Sequence, residues 1–158
     1  VLELIKKYKI NSIAIGNGTA SQETAAFISK LINENNLEVK YAVVSEIGAS
    51  VYSASKIAMM EYPNLDVTIR GAISIAQRLR DPMAALVKID PKSLGIGQYQ
   101  HDVNQKELEQ KLENVTVDLV NKVGVDINSA SYKLLSFISG ISEKIALNII
   151  EHKEKIRN

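Results

Sequence analysis

Two short β-branched segments separated by one amphipathic helix limit the folds open to this chain. Ser12–Ile15 and Val39–Val44 have the composition of buried strands. The pattern between them predicts a helix with Thr19 as its N-cap and Gln22 completing a capping box. A strand, a helix and a strand at this spacing predict a parallel pair joined by a right-handed crossover. The first half is therefore predicted to have α/β structure.

Helices are predicted for most of the remaining sequence. Apolar residues at helical spacing predict helices over Val1–Tyr8, Val67–Leu79 and Asn104–Val123. Two strands are too few for an independent sheet, so we expect further strands from upstream of Val1 or from another copy. The overall prediction is an α/β fragment with an incomplete sheet, followed by an all-α part. The residues expected to face the core are Ile69, Ala72, Ile73, Ala76 and Leu79 in the second of these helices, and Leu108, Leu112, Val115, Leu119 and Val123 in the third.

Composition and charge exclude several classes of protein. Of the 158 residues, 46% are hydrophobic and 23% are charged, which is typical of a folded globular protein. The net charge is +1, so a polyanion would be bound by a local patch rather than by the overall field. Cysteine is absent, which excludes disulfides and thiolate metal sites and favours a cytoplasmic location. No apolar run approaches the roughly 20 residues that span a membrane, and no signal peptide is predicted.

A glycine turn between two helical patterns lies near the end of the chain. In the turn, Gly140 is expected to supply a positive φ, Ile141 to bury against the first helix and Ser142 to cap the second. Asn128 is the predicted cap of the first helix. Such a helix-hairpin-helix grips nucleic-acid backbones through the amides at the start of its second helix. The predicted core of the module is Leu134, Leu135, Ile138, Ile145, Ala146 and Ile149.

Lysines near the turn favour contact with phosphate. Lys144 lies in the first turn of the second helix, and Lys133 and Lys153 are expected to add to the patch. Ser142 stands where such hairpins usually have a second glycine, so its side chain lies where a phosphate would approach, although its hydroxyl can donate to that phosphate. An αα-hairpin that serves only packing is the alternative. If the hairpin binds nucleic acid, its affinity depends on neutralisation of phosphate charges, and it does not distinguish between bases. The predicted nucleic-acid-binding residues are Gly140, Ile141, Ser142, Lys144 and Lys133.

Four stretches spread over nearly the whole chain share a pattern with one known family. They are Ile15–Ser21, Val44–Ser55, Arg70–Ala76 and Lys88–Gln105. These stretches resemble the Tex family of bacterial transcription accessory proteins.

The resemblance implies a domain organisation. It implies that residues 1–92 are the later part of a YqgF-type, RNase H-like domain and that residues 93–123 are a connector and a long linker helix. Residues 124–158 would then be the first helix-hairpin-helix of a tandem pair. An RNA-binding OB-fold domain would lie beyond Asn158.

The same resemblance bears on catalysis. RNase H-like nucleases hold two metal ions on converging carboxylates. By similarity to the active YqgF-type nucleases, their glycine-rich turn matches Gly16–Thr19, their acidic motif matches Ser45–Ile47, and their last catalytic Asp falls on Arg70. Glu46 is then the one carboxylate at a metal position, and a guanidinium at Arg70 would repel a divalent cation. We therefore predict a degenerate domain with no catalytic residue and no metal; for Glu46 itself, a loop carboxylate that caps the next helix is the alternative to a metal ligand.

Two further motifs are weaker. The turn Gly16–Thr19 could cradle a phosphate, but it lacks the P-loop lysine and the full dinucleotide fingerprint, which favours a simple strand-to-helix turn and no cofactor. His101, Asp102 and Glu107 lack a second ligand pair, which favours an exposed connector over a metal site.

Three functions stay open at this point. The leading prediction is a non-catalytic fragment that binds RNA or DNA without reading sequence. One alternative is a metal-dependent nuclease that uses Glu46 with an upstream Asp. The other is a scaffold that docks transcription machinery through the long helix and the degenerate domain. A membrane is not an expected partner.

Overall fold

The computed structural model describes residues 1–157, so Asn158, the predicted end of the hairpin module, lies outside the described chain. The backbone divides into two compact units, residues 1–82 and the residues from Met83 onward. The three-part division at residues 92 and 123 stays a prediction.

The first unit combines a two-stranded parallel sheet with helices. The strands are β1, Ser12–Gly16, and β2, Lys40–Val44, with Ser12 opposite Lys40 and Gly16 opposite Val44. Helix α2 connects the strands in sequence, as the predicted crossover requires. The helices of this unit are α1, Leu2–Tyr8; α2, Ser21–Glu34; α3, Ala49–Ser53; α4, Lys56–Glu61; and α5, Val67–Arg80.

The start of α2 differs from the prediction. Its N-cap position is Ala20, and no side chain caps it. The turn is closed instead by the backbone, since the amide of Ser21 donates to the carbonyl of Gly18 at 3.0 Å. Thr24 bonds back to the carbonyl of Ala20 at 2.7 Å. The predicted cap at Thr19 is therefore wrong, because the glycine turn lets the main chain close the entry to the helix.

The buried face of α5 is polar. Arg70, Ser74 and Arg78 are only 8%, 1% and 7% exposed. Two physical reasons make this face the inner one: α5 packs on the small residues of α3, and the guanidinium groups reach main-chain carbonyls in the interior. The predicted apolar stripe is therefore wrong in orientation. Of its members, Ile73 is half-buried, whereas Ile69, Ala72, Ala76 and Leu79 are exposed.

The second unit is helical in its described residues and contains the long helix and the hairpin. Its elements are α6, Pro82–Leu86; a 3₁₀ turn, Pro91–Leu94; α7, Gln105–Val123; α8, Tyr132–Ser136; and α9, Glu143–Arg157. Asn104, the first residue of the predicted long helix, is the N-cap of α7, because its Oδ1 accepts the amide of Lys106 at 3.0 Å. The buried cluster of this unit consists of Val120, Ala130, Leu134, Leu135 and Ala146.

The inner face of α7 is displaced by one residue from the predicted stripe. Val120 is 1% exposed, whereas Leu119 and Val123 are 54% and 70% exposed. Val115 is also exposed, at 54%. The inner residues of α7 are instead spaced four apart, at Leu108, Leu112, Thr116 and Val120. Each step of four residues turns about 40° further around the helix, so the inner face rotates along α7 and leaves Leu119 outside.

The observed architecture confirms the predicted fold class of an α/β part followed by a helical part. Within residues 1–157, no helix combines the length and apolar character needed to cross a bilayer.

Candidate functional site

The hairpin turn has the backbone geometry that its glycine predicts. Gly140 has φ of 87°, a left-handed conformation that other residues adopt only with strain. A Cβ placed on Gly140 would meet nothing within 4 Å, so the backbone angle rather than lack of space requires glycine here. The amide of Ile141 then donates to the carbonyl of Ile138 at 3.0 Å and closes the turn.

The two residues after Gly140 link the turn to the core and to α9. Ile141 is half-buried and packs against the buried cluster of the second unit. Ser142 accepts the amide of Ile145 on its Oγ at 3.3 Å, which caps α9. Because the first amides of a helix have no intrahelical acceptor, those at the start of α9 remain as potential donors to an anion.

A side chain of α7 holds the segment just before the turn. The Nδ2 of Asn121 donates to the carbonyl of Phe137 at 2.9 Å, and its Oδ1 accepts the amide of Ser139 at 3.0 Å. Asn121 was not among the residues predicted for the site. Its position on the polar side of a predicted helix carries no sequence signal for this role.

The lysines differ in how freely they face the turn. Lys144 is exposed in the first turn of α9. The ammonium of Lys133 lies 3.9 Å from Glu143 and 4.9 Å from the centre of the Phe137 ring. Both interactions hold Lys133 beside the start of α9, and the carboxylate offsets part of its charge.

Lys153, the third lysine expected in the patch, donates its ammonium to the carbonyl of Ala130 at 3.0 Å and so joins α9 to the chain before α8. Its contribution to the patch stays a prediction.

Two local predictions within the module are wrong. Asn128 does not cap α8; its amide donates to Asp126, and Ser131 is the cap, since its Oγ accepts the amide of Leu134 at 3.3 Å. Ile145 is 45% exposed and lies outside the buried cluster.

A cleft in the first unit is the second candidate site, and it lies where the chain leaves both strands. Its volume is about 360 Å³, and Glu46, the glycine turn after β1 and Ala72 and Ile75 of α5 line it. The amide of Glu46 donates to Oδ1 of Asn17 at 3.0 Å, which joins the ends of the two strands.

The carboxylate of Glu46 lies directly against the glycine turn. A Cβ on Gly16 would stand 2.6 Å from a carboxylate oxygen of Glu46, and one on Gly18 would stand 2.8 Å from its carboxyl carbon. Since real Cβ contacts are never this short, glycine at both positions is what admits the carboxylate.

Arg70 does not take part in this cleft. The side chain is buried, and its Nε donates to the carbonyl of Tyr62 at 3.1 Å. Arg70 is absent from the residues that line the cleft around Glu46. The predicted repulsion of a metal by this guanidinium therefore has no support in the geometry, and the alternative of an exposed or ion-paired Arg70 is also wrong.

The guanidinium of Arg78, a residue that the sequence did not indicate for this site, lies close to Glu46. Arg78 is 7% exposed, and its Nη1 donates to the carbonyl of Ser45 at 2.6 Å. Its Nε and Nη2 are buried without a hydrogen-bond partner. Burial lowers the pKa of the Arg78 guanidinium, and the nearby charge of Glu46 opposes that shift. Glu46 thus offsets the charge of a buried cation.

Among residues 1–157, no group of three or more histidine, cysteine or acidic side chains converges to hold a metal ion. His101, Asp102 and Glu107 are exposed and belong to no such group.

Comparison with known proteins identifies both parts of the chain. Residues 1–80 match the Tex protein YqgF-like domain, and residues 120–158 match a helix-hairpin-helix motif. The chain thus has a YqgF-like domain followed by a hairpin module. It belongs to the Tex family.

Relatives with high identity cover nearly the whole chain. It is 53% identical over 153 residues to the protein tex of Bordetella pertussis and 54% identical over 155 residues to the transcriptional accessory protein Tex of Neisseria gonorrhoeae. It is 48% identical over 155 residues to the human S1 RNA-binding domain-containing protein 1. Each alignment covers 96% of this chain but only 19%, 20% and 16% of these relatives, respectively. The chain therefore spans about a fifth or less of their length.

The contact between Glu46 and the glycine turn generates a prediction about substitution at Gly18. Gly18→Ala should be less favourable in the natural chain than in a chain without the Glu46 side chain, by about 0.5–1 kcal/mol, because the new methyl group displaces the carboxylate. In a Glu46→Ala background the same change should be neutral or stabilising by about 0.4–1 kcal/mol, because alanine restricts the unfolded chain. Urea unfolding of the four chains measures this coupling.

Gly97→Ala is the matched control, since a Cβ on Gly97 meets nothing within 4 Å. It should have the same effect in both backgrounds. An equal cost of Gly18→Ala with and without the Glu46 side chain would contradict the packing described above.

Proposed function

We propose that this chain is the part of a Tex-like transcription accessory protein that binds nucleic-acid backbones through its hairpin turn. The observation that carries the proposal is the turn at Gly140–Ser142, whose positive-φ glycine leads into α9. Ser142 caps the amide of Ile145, and the amides of Glu143 and Lys144 before it are the proposed donors to an anion. The proposed contact residues are Gly140, Ile141, Ser142, Lys144 and Lys133.

Charge and geometry determine what such a turn recognises. Main-chain amides and lysine ammonium groups bind phosphate oxygens, which are the same at every nucleotide. Binding should therefore be indifferent to sequence and should weaken as salt rises. The name of the human relative includes RNA binding, which supports RNA as one of the two candidate polymers, beside DNA.

The proposal includes a non-catalytic role for the YqgF-like part, residues 1–92 in the predicted division. Its support is the position of Glu46, which packs on the glycine turn and offsets the charge of Arg78. Within residues 1–157, Glu46 belongs to no group of three or more acidic or histidine side chains that could hold a metal ion. Residues 93–123 would then act as a connector and linker helix, and residues 124–158 as the binding module. We propose a cytoplasmic location and docking to transcription machinery as the setting for this activity.

Reversal of two lysine charges tests the binding surface. Lys133→Glu together with Lys144→Glu should lower the affinity for a 20-base-pair duplex by about tenfold or more at low salt. It should also reduce the slope of log affinity against log salt by about 1 to 2, because two phosphate contacts are lost. Fluorescence anisotropy titrations at several salt concentrations measure both quantities.

The matched control replaces Lys106 and Lys111 of α7 by glutamate, which gives the same change in net charge at exposed positions more than two helical turns from Asn121. If both double variants weaken binding equally, the effect belongs to the overall charge and the turn is not the contact surface.

Removal of the negative charge of Glu143 should strengthen nucleic-acid binding, the opposite of the effect expected for the lysine reversal. Glu143→Gln removes a negative charge at the start of α9 and frees Lys133, so affinity for the duplex should rise by about two- to fivefold at low salt. The same change should lower the free energy of unfolding by about 0.3–1 kcal/mol, because an acidic residue in the first turn stabilises a helix. Glu151→Gln, later on α9, is the control and should change neither binding nor stability appreciably. Weaker binding by the Glu143 variant would count against the site.

A nuclease that uses Glu46 with an upstream carboxylate is the competing function. Incubation of the full-length protein with structured RNA and Mg²⁺ or Mn²⁺, beside a Glu46→Gln variant, separates the two. We expect no cleavage that depends on Glu46. Cleavage that disappears in the variant would replace our proposal with the enzymatic one.

A further inference from the structure

The side chain of Asn121 makes two hydrogen bonds to the segment that leads into the hairpin turn. Its amide group contacts two main-chain groups of the segment Phe137–Ser139, a carbonyl at 2.9 Å and an N–H at 3.0 Å. These partners are 16 and 18 residues away in sequence. The turn glycine, Gly140, follows immediately.

The side chain itself is held in place by its own helix. The same Nδ2 that contacts Phe137 also lies 2.7 Å from the carbonyl of Val117, one helical turn before Asn121. An amide supplies a donor and an acceptor in one plane, as a neighbouring peptide group does. Asparagine and glutamine are the two residues whose side chains end in an amide, and asparagine has the shorter reach.

We propose that Asn121 is a positioning residue for nucleic-acid binding: it holds the segment before Gly140 in the conformation that presents the first amides of α9 to phosphate. This inference rests on the proposed function of the turn. Without these hydrogen bonds the segment would have to be ordered when the polymer binds, and that cost would reduce affinity. Asn121 therefore acts through the turn and need not touch phosphate.

The test compares the full-length protein with its Asn121→Ala variant. The probes are a 20-nucleotide single-stranded RNA and a 20-base-pair duplex DNA of mixed sequence, titrated by fluorescence anisotropy well below the unfolding temperature. We expect Asn121→Ala to bind the better of these probes about five- to tenfold more weakly. Asn114→Ala is the control, because Asn114 is an exposed asparagine on the same helix, and its affinity should equal that of the natural protein.

Two readouts separate positioning from general destabilisation. Amide hydrogen exchange at Ser139 should accelerate in Asn121→Ala, while exchange at the buried residues Leu134 and Leu135 stays as in the natural protein. In a Gly140→Ala background, whose turn is already distorted, Asn121→Ala should cause no further loss of affinity. Should Asn121→Ala fail to fold, Asn121→Gln gives the same test, since its displaced amide should lower affinity and accelerate exchange at Ser139 to a smaller extent.

The outcomes distinguish this inference from the function on which it rests. Unchanged affinity with faster exchange at Ser139 would overturn the positioning role, and so would an equal loss of affinity with and without Gly140. If the reversal of Lys133 and Lys144 also leaves binding unchanged, the proposed function itself fails. If that reversal weakens binding while Asn121→Ala does not, only the role of Asn121 is rejected.

Discussion

The packing of the last turns of α7 against the hairpin helices determines where the turn lies. Val120 is buried among Ala130, Leu134, Leu135 and Ala146, and Ile141 of the turn packs on the same cluster. A fully buried leucine contributes about 1.5–3 kcal/mol relative to an exposed one, so this cluster outweighs the few exposed contacts of the turn itself. The turn conformation is thus supported by a core whose members come from three helices and from the segment before α8. The rigidity that a phosphate contact needs is therefore supplied from outside the turn.

Features with a local cause were predictable from the sequence. The strands, the start of α7 at Asn104, the positive φ of Gly140 and the cap by Ser142 all follow from the preferences of residues within a few positions. Each depends on a backbone preference or on a side chain that reaches its own helix. For the same reason the family resemblance and the physical pattern agreed on the fold class.

Features that depend on distant partners were not predictable. An apolar stripe normally identifies the buried side of a helix, yet α5 buries Arg78, because the carbonyl of Ser45 lies 33 residues earlier in the chain and accepts from it. Asn121 owes its role to groups 16 and 18 residues further on. Ile145 is exposed although its spacing fits the core. A pattern within one helix carries no information about partners so far away in the sequence. Burial of a polar group is favourable only where such a partner is present.

Two of the glycine turns that lead into helices, those before α2 and α9, differ in what they can accept. At the turn before α2, the carboxylate of Glu46 already lies against Gly16 and Gly18. At the turn before α9, nothing lies within 4 Å of the Cβ position of Gly140. The carboxylate of Glu46 lies against the main chain of the first turn and repels a second anion there. At the start of α9 the single carboxylate of Glu143 is outnumbered by the ammonium groups of Lys133 and Lys144, so the net charge attracts an anion. A glycine turn at a helix start therefore favours internal stabilisation before α2 and binding of an external anion before α9. For this reason we assign the proposed nucleic-acid binding to the hairpin.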